Sequence, residues 1–237
     1  MTIAVNLLGA SFYSTHHASV EDALAGRERA ATQPAFALLV GRARRFTSLV
    51  TQLHIEVCGA LKVEGAEPPV TVFATCHGEI QTAANLLADF RDNAMVSGAR
   101  FALSVHNTPS GLYSVATGSS APSTTVTGDN AIAAGWLEAA LTALEAERNV
   151  LLSIADEPVP AEFRGPVAIG GVAAAFLLGP PSSTGRAMQL AITPCAEDGV
   201  VDSLLTLARA ADACLRSPPA TVALGRIQPG QVLELRG

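Results

Sequence analysis

A cysteine and a histidine stand side by side at one point of the chain, in the run Cys76-His77-Gly78-Glu79. The run follows the apolar, β-branched stretch at 70–75, which predicts a strand, and it opens a stretch with helical periodicity. A thiol at a helix N-terminus can have a lowered pKa, so Cys76 could act as a nucleophile with His77 as its base. Neighbouring residues at a strand end point in opposite directions, however, so the two side chains are poorly placed to pair. We therefore favour a structural interpretation, in which Cys76 is a small buried residue and His77 starts a helix.

Other histidines occur in two places that could line a site. His106 and Asn107 open the run HNTPSG, in which proline and glycine predict a turn. They either line a polar site or bond to the backbone of the turn, and we favour the turn. His16 and His17 form a doublet, but no carboxylate or cysteine stands nearby in a metal-ligand pattern. The doublet indicates a packed or surface pair, and the sequence predicts neither a metal nor a cofactor.

Two charged features lie close to predicted helices. Arg42, Arg44 and Arg45 form a small basic cluster, which is either a solvated helix start or a docking point for a phosphate or an acidic carrier. The small, polar run at 119–130 leads into an alanine-rich helical segment. Asp129 or one of its neighbours stands where an N-cap belongs, and the residue type of Asp129 predicts a structural cap.

The composition excludes several classes of function. The chain has 237 residues and a formal net charge of -6, whereas nucleic-acid-binding domains carry a basic footprint. The longest apolar run, VAIGGVAAAFLLG, is shorter than the roughly 20 residues that cross a bilayer, and the N-terminus lacks a basic signal-peptide segment. The four cysteines stand far apart, which predicts reduced thiols in the cytoplasm rather than disulfides or a zinc site. Because 49% of residues are hydrophobic and only 15% are charged, we expect much of the surface to be buried against a stable partner.

The apolar periodicity predicts an α/β fold. Helices are predicted at 42–61, 78–91, 130–148 and 199–215. Strands are predicted at 70–75, 150–155, around 167–178 and 187–193, and at 220–225 and 231–235. The residues of the second helix that are expected to face the core are Ile80, Ala83, Ala84, Leu87 and Phe90. Strands buried on both faces and separated by helices indicate a mixed sheet with helices on its faces, and no linker divides residues 1–237, which predicts a single domain.

Three runs of the chain read SVHNTPSGLYSVATG, STTVTGDNAIAAGWLEAALTAL and VLLSIADEP. Together they resemble the N-terminal half of β-ketoacyl synthases. The likeness is closest to short β-ketoacyl-synthase-like proteins of aryl polyene pigment clusters, some of which are regarded as chain-length-factor-like subunits. It covers roughly residues 10–195 and leaves 196–237 as a C-terminal extension. It implies a thiolase-like half, a mixed sheet covered by helices, where a complete condensing enzyme has two similar halves.

The resemblance also implies where a nucleophile would stand. In that family a cysteine begins a buried helix of the first half, and two histidines, or a histidine and an asparagine, of the second half assist decarboxylation. Aligned backwards from VLLSIA without gaps, the cysteine position falls on Asp129, or on Gly128 or Asn130 with a one-residue gap. No histidine follows His106. A carboxylate is a weaker nucleophile than a thiolate and would give a labile anhydride, so the resemblance implies the shape of a condensing enzyme without its activity.

A partner subunit is also implied by the resemblance. Condensing enzymes dimerise through their N-terminal halves, and the acyl tunnel runs toward that interface. A silent subunit paired with an active ketosynthase could close the tunnel and so limit chain length. Leu112, Tyr113 and Trp136 are the candidates for the interface or tunnel end, with ordinary core packing as the alternative for each. Pairing as a homodimer and docking of an acyl carrier protein stay open.

Two other functions are also open at this point. A freestanding thioesterase or acyltransferase would use Cys76 and His77, or one of the hydroxyl side chains at 119–127. A non-catalytic scaffold would stabilise a synthase, or dock acyl carrier protein, without shaping the tunnel. The chain has no GxGxxG, GxxxxGK[ST], GxSxG or HExxH motif, which removes support from nucleotide binding, elbow-serine hydrolysis and zinc proteolysis. The low charge and the missing catalytic set favour the partner functions over a freestanding enzyme.

Overall fold

The computed structural model of the protein describes residues 1–45, 47–63, 67–163, 170–195, 203–216 and 220–237. Within these residues the strands are β1 (Thr2–Ser14), β2 (Val70–Thr75), β3 (Ser123–Thr127), β4 (Val150–Asp156), β5 (Val172–Gly179), β6 (Arg186–Pro194), β7 (Thr221–Gln228) and β8 (Gln231–Arg236). The helices are α1 (Val20–Leu24), α2 (Gly41–Arg45), α3 (Leu49–Ala60), α4 (Ile80–Asn93), α5 (Gly98–Phe101), α6 (Thr108–Thr117), α7 (Ala131–Ala146) and α8 (Ser203–Leu215), with a short 3-10 helix at Ala161–Phe163.

The strands form a mixed sheet, as the sequence predicts, and their order is β3-β2-β4-β5-β1-β6-β8-β7. β2 pairs in parallel with β3 and with β4, whereas the other pairings are antiparallel. Parallel strands need crossover connections, so α4, α5 and α6 connect β2 to β3, and α7 connects β3 to β4 on the other side of β2. The parallel strands therefore end at the same edge of the sheet.

Helices cover both faces of the sheet, which confirms the predicted α/β layering. Every residue of β4 is buried, and its side chains alternate between two cores. Leu152 and Ile154 lie in the core that α7 and α8 cover, whereas Leu151 and Ala155 lie in the core that α3 and α6 cover. The apolar strand stretches at 70–75 and 150–155 match β2 and β4 to within one residue.

The single helix predicted at 42–61 is wrong, because the structure has two helices there. α2 ends at Arg45, and α3 starts at Leu49. Ser48 is the reason for the new start, since its extended backbone leaves the helix and its Oγ accepts a hydrogen bond from the Thr51 N–H. Phe46, which is expected on the apolar face, lies outside the described residues.

The turn predicted in HNTPSG is also wrong. The structure continues this run as α6, with Pro109 in the first turn and Gly111 inside the helix. A proline is tolerated there because the first helical N–H groups have no partner within the helix. Asn107 is the N-cap residue, although its side chain makes no capping hydrogen bond.

The helix predicted at 78–91 exists as α4, but its expected core face is wrong. Leu87 and Phe90 are 61% and 58% exposed, and Leu86 is the buried residue of the helix. Amphipathic spacing gives the helix but does not say what its apolar side meets. Here that side lies against α5 and solvent rather than against the sheet.

Two strands have no clear signal in the sequence. β1 lies centrally between β5 and β6, and β3 is a short polar strand at the end of the sheet. β3 pairs on one side only, and such an edge strand does not need apolar residues on both faces. The polar run at 119–130 therefore contains a strand that its composition does not predict.

Close contact between α7 and β2 depends on a glycine. A Cβ atom added to Gly135 would lie 2.7 Å from the Cβ of Ala74 and 3.4 Å from the Cδ1 of Leu152. Real Cβ atoms do not approach so closely in a packed interior, so α7 would have to move away from the sheet.

We expect Gly135→Ala to lower the free energy of unfolding by about 1–3 kcal/mol, because the added methyl overpacks the α7–β2 contact. Gly111→Ala on α6 is the matched control, since a Cβ there meets no atom within 4 Å. That change should raise stability by up to about 1 kcal/mol through helix propensity. Urea unfolding of both variants measures the difference, and equal effects would contradict the contact.

Candidate functional site

The edge of the sheet where β2, β3 and β4 end brings together most of the residues that the sequence singles out. Cys76 follows β2, Gly128 follows β3, and Asp156 ends β4. The parallel registers place Thr75 beside Thr127 and Ala74 beside Ile154. We call this edge the carboxyl edge of the sheet.

The turn between β3 and α7 holds no nucleophile. Gly128 has a φ of +111°, a conformation that favours glycine, and Asp129 and Asn130 follow it as exposed turn residues. The predicted cap at Asp129 is wrong, because Asn130 occupies the N-cap position and makes no side-chain capping bond. α7 then runs into the core, with Ala131, Ile132 and Ala133 buried.

Cys76, directly after β2, interacts with the carboxyl group at the end of β4. The Cys76 N–H donates to Asp156 Oδ1 at 2.7 Å, and the Cys76 side chain also bonds to this carboxyl group. His77 is exposed. A thiol that bonds to a buried carboxyl group lacks the positive surroundings that activate a nucleophilic cysteine, which favours the structural interpretation of Cys76.

Asp156 is buried at the carboxyl edge. Burial raises the pKa of this carboxyl group above its usual value, although hydrogen bonds from Cys76 and Thr75 act in the opposite direction. The Thr75 hydroxyl donates to Asp156 Oδ1 at 3.0 Å. Oδ2 of Asp156 is buried and has no hydrogen-bond partner among the described residues.

Glu157 joins two helices to the end of β4. Its Oε2 accepts from the Val50 N–H of α3 at 3.1 Å, and its Oε1 accepts from the Gln81 N–H of α4 at 3.0 Å. A carboxylate at a helix N-terminus satisfies an unpaired N–H and interacts favourably with the helix dipole. Burial, together with the nearby charges of Glu79 and Asp156, raises the pKa of Glu157 to about 7.

Glu79 is the third buried carboxylate. It accepts from the Ser48 and Thr51 hydroxyls, both at 2.7 Å, and from the Thr82 hydroxyl at 3.0 Å. Burial raises its pKa, and these three hydrogen bonds act in the opposite direction. We call Glu79, Asp156 and Glu157 the carboxylate cluster. Among the described residues no group of three or more potential metal ligands is arranged to hold an ion.

His106 and Asn107 are exposed and lie at the start of α6. His106 lies over the Gly78 turn, because a Cβ added to Gly78 would be 3.4 Å from the His106 Cβ. Gly78 has a φ of +59°. His106 therefore approaches the Cys76-His77 segment, which lies distant in the sequence.

Tyr113 and Leu112 lie in the core between α6 and the sheet. The Tyr113 ring is 5.8 Å from the ring of Phe73, and burial raises the pKa of Tyr113 to about 12. Leu112 packs partly against the same core. Trp136 lies in the core on the opposite face, 4.5 Å from the Phe176 ring and without exposed surface.

The histidine doublet and Arg44 of the arginine cluster interact with their own chain. His17 Nδ1 lies 2.9 Å from Ser14 Oγ, and His16 Nδ1 lies 2.8 Å from Thr15 Oγ1. The Arg44 guanidinium lies 4.2 Å from the centre of the Phe36 ring, a cation–π contact.

Beside this edge, the surface between α4 and α5 is apolar and concave. Its volume is about 300 Å³, and it is lined by Ala83, Leu86, Leu87, Phe90, Val96, Phe101 and Ser104. We call it the α4–α5 groove. Phe101 is 62% exposed, and the exposed apolar side chains of Met95 and Val105 lie in the same stretch of chain. Such a contiguous apolar surface on a folded chain indicates an interaction site.

Sequence reasoning missed both the carboxylate cluster and the groove. The signal for the cluster is present in VLLSIADEP, where two acids directly follow a fully apolar strand. Because parallel strands end at one edge, such acids meet the helices that start there. The signal for the groove is present as the apolar side of the helix at 78–91, which the periodicity assigns to the core.

A family model described as "Beta-ketoacyl synthase, N-terminal domain" matches residues 18–215. The chain belongs to this family. Its sequence has no significant match among curated proteins. The family assignment confirms the predicted resemblance and agrees with the α/β layers around the carboxyl edge.

Solved structures support the same fold for this β-ketoacyl synthase family member. One is a ketosynthase, ApeO, in complex with its chain length factor, ApeC, from Xenorhabdus doucetiae, with 16% identity, a TM-score of 0.74 and coverage of 99% of this chain and 100% of that chain. The ishigamide ketosynthase/chain length factor has 15% identity, a TM-score of 0.64 and coverage of 81% and 67%. A β-ketoacyl synthase from Burkholderia phymatum STM815 has 11% identity, a TM-score of 0.57 and coverage of 82% and 65%. In the part of the chain that the structure describes, no helix is long and apolar enough to span a bilayer.

Asp156 offers a test of the carboxyl edge. Asp156→Ala removes the acceptor of the Thr75 hydroxyl and the Cys76 N–H, so we expect the free energy of unfolding at pH 8 to fall by about 2–4 kcal/mol. Asp156→Asn keeps an acceptor oxygen and removes a buried charge, so it should change stability by less than about 1 kcal/mol. Urea unfolding at fixed pH compares the two, and a similar loss in both would show that the charge itself is needed.

Proposed function

We propose that this chain is a catalytically silent β-ketoacyl-synthase-like subunit, which pairs with an active ketosynthase and shapes its acyl tunnel. In this role it acts as a chain length factor in aryl polyene or fatty-acid-like biosynthesis. The observation that carries the proposal is the absence of a cysteine at the start of α7, where the resemblance puts the family's nucleophile at Asp129, or at Gly128 or Asn130 if the alignment has a one-residue gap.

The chemistry of condensation supports the proposal that this chain does not catalyse the reaction. A thioester substrate needs a thiolate or an equally strong nucleophile, and the carboxylate of Asp129 would form a labile anhydride instead. Cys76 lies at the end of β2, held to Asp156, on a different element from the start of α7. A freestanding enzyme that uses Cys76 and His77 is therefore disfavoured.

The likeness in size and shape to one solved chain also supports the proposal. This chain and a chain of the ApeO–ApeC complex cover each other almost completely. That complex pairs a ketosynthase with its chain length factor, and we extend the same kind of pairing to this chain. A subunit that has no condensing activity on its own can affect the condensation reaction only through such a partner.

The uncovered surface supplies a place for the partner. The α4–α5 groove exposes Leu87, Phe90 and Phe101, and α6 exposes Val115, which is 76% accessible. β3, the neighbouring edge strand, has one free side that can pair with a strand of another chain. We therefore assign the ketosynthase interface to the groove, the outer side of α6 and the free edge of β3.

The tunnel end is assigned to α6 in this proposal. Tyr113 and Leu112 lie just under the outer side of that helix, so a partner's acyl chain that reaches α6 would meet them. Each methylene group that the tunnel accepts contributes about 0.8 kcal/mol, so a bulky side chain at its end selects product length. Trp136 lies in the opposite core and supports α7 in this proposal.

Residues 1–237 act as one unit in this proposal, because β6, β8 and β7 extend the same sheet as the family region. We further place the subunit in the cytoplasm. Its four cysteines all lie among the described residues and form no disulfide there, which suits a reducing compartment.

Co-expression with an active ketosynthase encoded nearby tests the pairing. We expect Leu87→Glu and Phe90→Glu each to weaken co-purification at least tenfold, since each removes about 1.5–3 kcal/mol of apolar burial. Leu215→Glu is the matched control, an exposed leucine on α8, which packs against β1 and β7. Calorimetric titration of purified subunits gives the affinity.

Two results would contradict the proposal in different ways. Wild-type-like pairing of both groove variants would remove the groove from the interface. Covalent attachment of a radiolabelled acyl group to this chain alone, from an acyl carrier protein thioester, would show that the chain is not silent.

Product length tests the tunnel role separately from pairing. In the intact complex, Tyr113→Ala should shift the products toward longer chains, because removing the ring lengthens the space beneath α6. Phe176→Ala is the control, a comparable loss of a buried ring in the opposite core. Mass spectrometry measures the distribution, and unchanged products from an intact Tyr113→Ala complex would favour a scaffold that does not shape the tunnel.

A further inference from the structure

The carboxylate cluster gathers three acids, and among the described residues none of them forms an ion pair with an arginine or lysine. Glu79 comes from the N-cap position of α4, whereas Asp156 and Glu157 come from the end of β4. Buried like charges repel, and the site relieves this most simply by binding a proton.

Among the described residues, groups from three parts of the fold face the cluster. α3 contributes neutral donors, the Ser48 and Thr51 hydroxyls and the Val50 N–H. α4 contributes the Gln81 N–H and the Thr82 hydroxyl. The connection from β2 contributes Cys76, which bonds to Asp156, and His77, whose charge acts on Asp156 from an exposed position.

One oxygen of the cluster is available for a proton. Asp156 Oδ2 is buried and has no hydrogen-bond partner among the described residues, whereas both oxygens of Glu157 accept from helix N–H groups. A proton on Asp156 Oδ2 therefore breaks no hydrogen bond and leaves Glu157 free to hold α3 and α4. The proton belongs to the three interacting groups together.

We propose that Glu79, Asp156 and Glu157 together form a proton-binding site, which we call the joint. When the joint holds a proton, the start of α4 is fixed on α3 and β4. When the joint loses that proton, the start of α4 loosens. The geometry behind the proposal is that Glu157 accepts hydrogen bonds from both α3 and α4, an arrangement that we call the double anchor. The electrostatic repulsion of Glu157 by Glu79 and Asp156 grows as the last proton leaves. α4 carries Leu87 and Phe90, so the joint also sets the order of the α4–α5 groove. Any effect on ketosynthase binding rests on the proposed function, but the joint itself does not.

The direction of the pH dependence follows from the pKa of Glu157. Its value in the folded chain, about 7, is raised above 4.5, the ordinary value that applies in the unfolded chain. The stabilising contribution is therefore complete below pH 4.5 and is lost as the pH rises through about 7. One proton taken up on folding should make the unfolding equilibrium constant roughly tenfold larger at pH 8 than at pH 6.

Urea unfolding of the isolated chain at pH 6, 7 and 8 tests the joint. Glu157→Gln should reduce the tenfold ratio to less than about twofold, because the titrating charge at the double anchor is gone. Glu162→Gln is the matched control, an exposed glutamate five residues away, and it should keep the full ratio. A wild-type ratio near one, or an unchanged ratio in Glu157→Gln, would overturn the proposal.

A second variant keeps the proposal testable if Glu157→Gln does not fold. Glu79→Gln keeps the acceptor for the Ser48 and Thr51 hydroxyls and removes one repelling charge. It should move the midpoint of the pH profile down by roughly one pH unit, a shift that a purely structural role would not give. An unmoved midpoint would overturn the joint.

Hydrogen exchange of the wild-type chain locates the effect. After correction for intrinsic rates, amides in the first turn of α4 should exchange faster at pH 8 than at pH 6, whereas those of β4 should change little. Equal changes across both elements would show general destabilisation instead of a joint. None of these measurements needs a partner, so failure of the proposed function would leave them unaffected.

Discussion

Burial of β4 on both faces is the constraint on which the rest of the structure depends. A strand covered by helices on both sides must be apolar at consecutive positions, and VLLSIA meets this condition. The same burial puts two acidic residues in the protein interior, because Asp156 and Glu157 follow the apolar residues of the strand and are still buried. Their carboxylates are stable there only because backbone and hydroxyl donors converge on them.

Those donors exist because two helices start at the same edge. Helix N-termini present unpaired N–H groups, and α3 and α4 both direct one of theirs at Glu157. Glu79 has no capping bond to its own helix and instead accepts three hydroxyl groups, two of which come from the start of α3. The sheet edge, the two helix starts and the acids therefore stabilise one another. This explains how α4 can be held at its beginning while much of its length stays exposed.

The sequence predicts an element of structure best where one physical effect, such as burial on both faces, determines its residue types. The apolar stretches at 70–75 and 150–155 predict β2 and β4 closely, because burial on both faces permits little else. Periodicity also predicts α4 but places Leu87 and Phe90 on the wrong side, because it measures amphipathicity and not the identity of the surface that is covered. The break at Ser48 and the helical Pro109 depend on local capping, which competes with periodicity over only a few residues. The carboxylate cluster joins residues that lie far apart in the sequence, so only the parallel pairing of β2 and β4 brings it together.

The packing of α7 on the sheet does not depend on the residue types in the turn before it. The helix needs small residues near its start and at Gly135 in order to approach the sheet, and these needs are independent of any nucleophile. Residues 128–130 are under no such packing requirement, since Asp129 and Asn130 are exposed and their side chains do not cap the helix. A thiol can therefore be absent there without loss of the core. The large exposed apolar side chains of α4 and α5 lie on a different part of the surface, in a chain of which only 15% of the residues are charged.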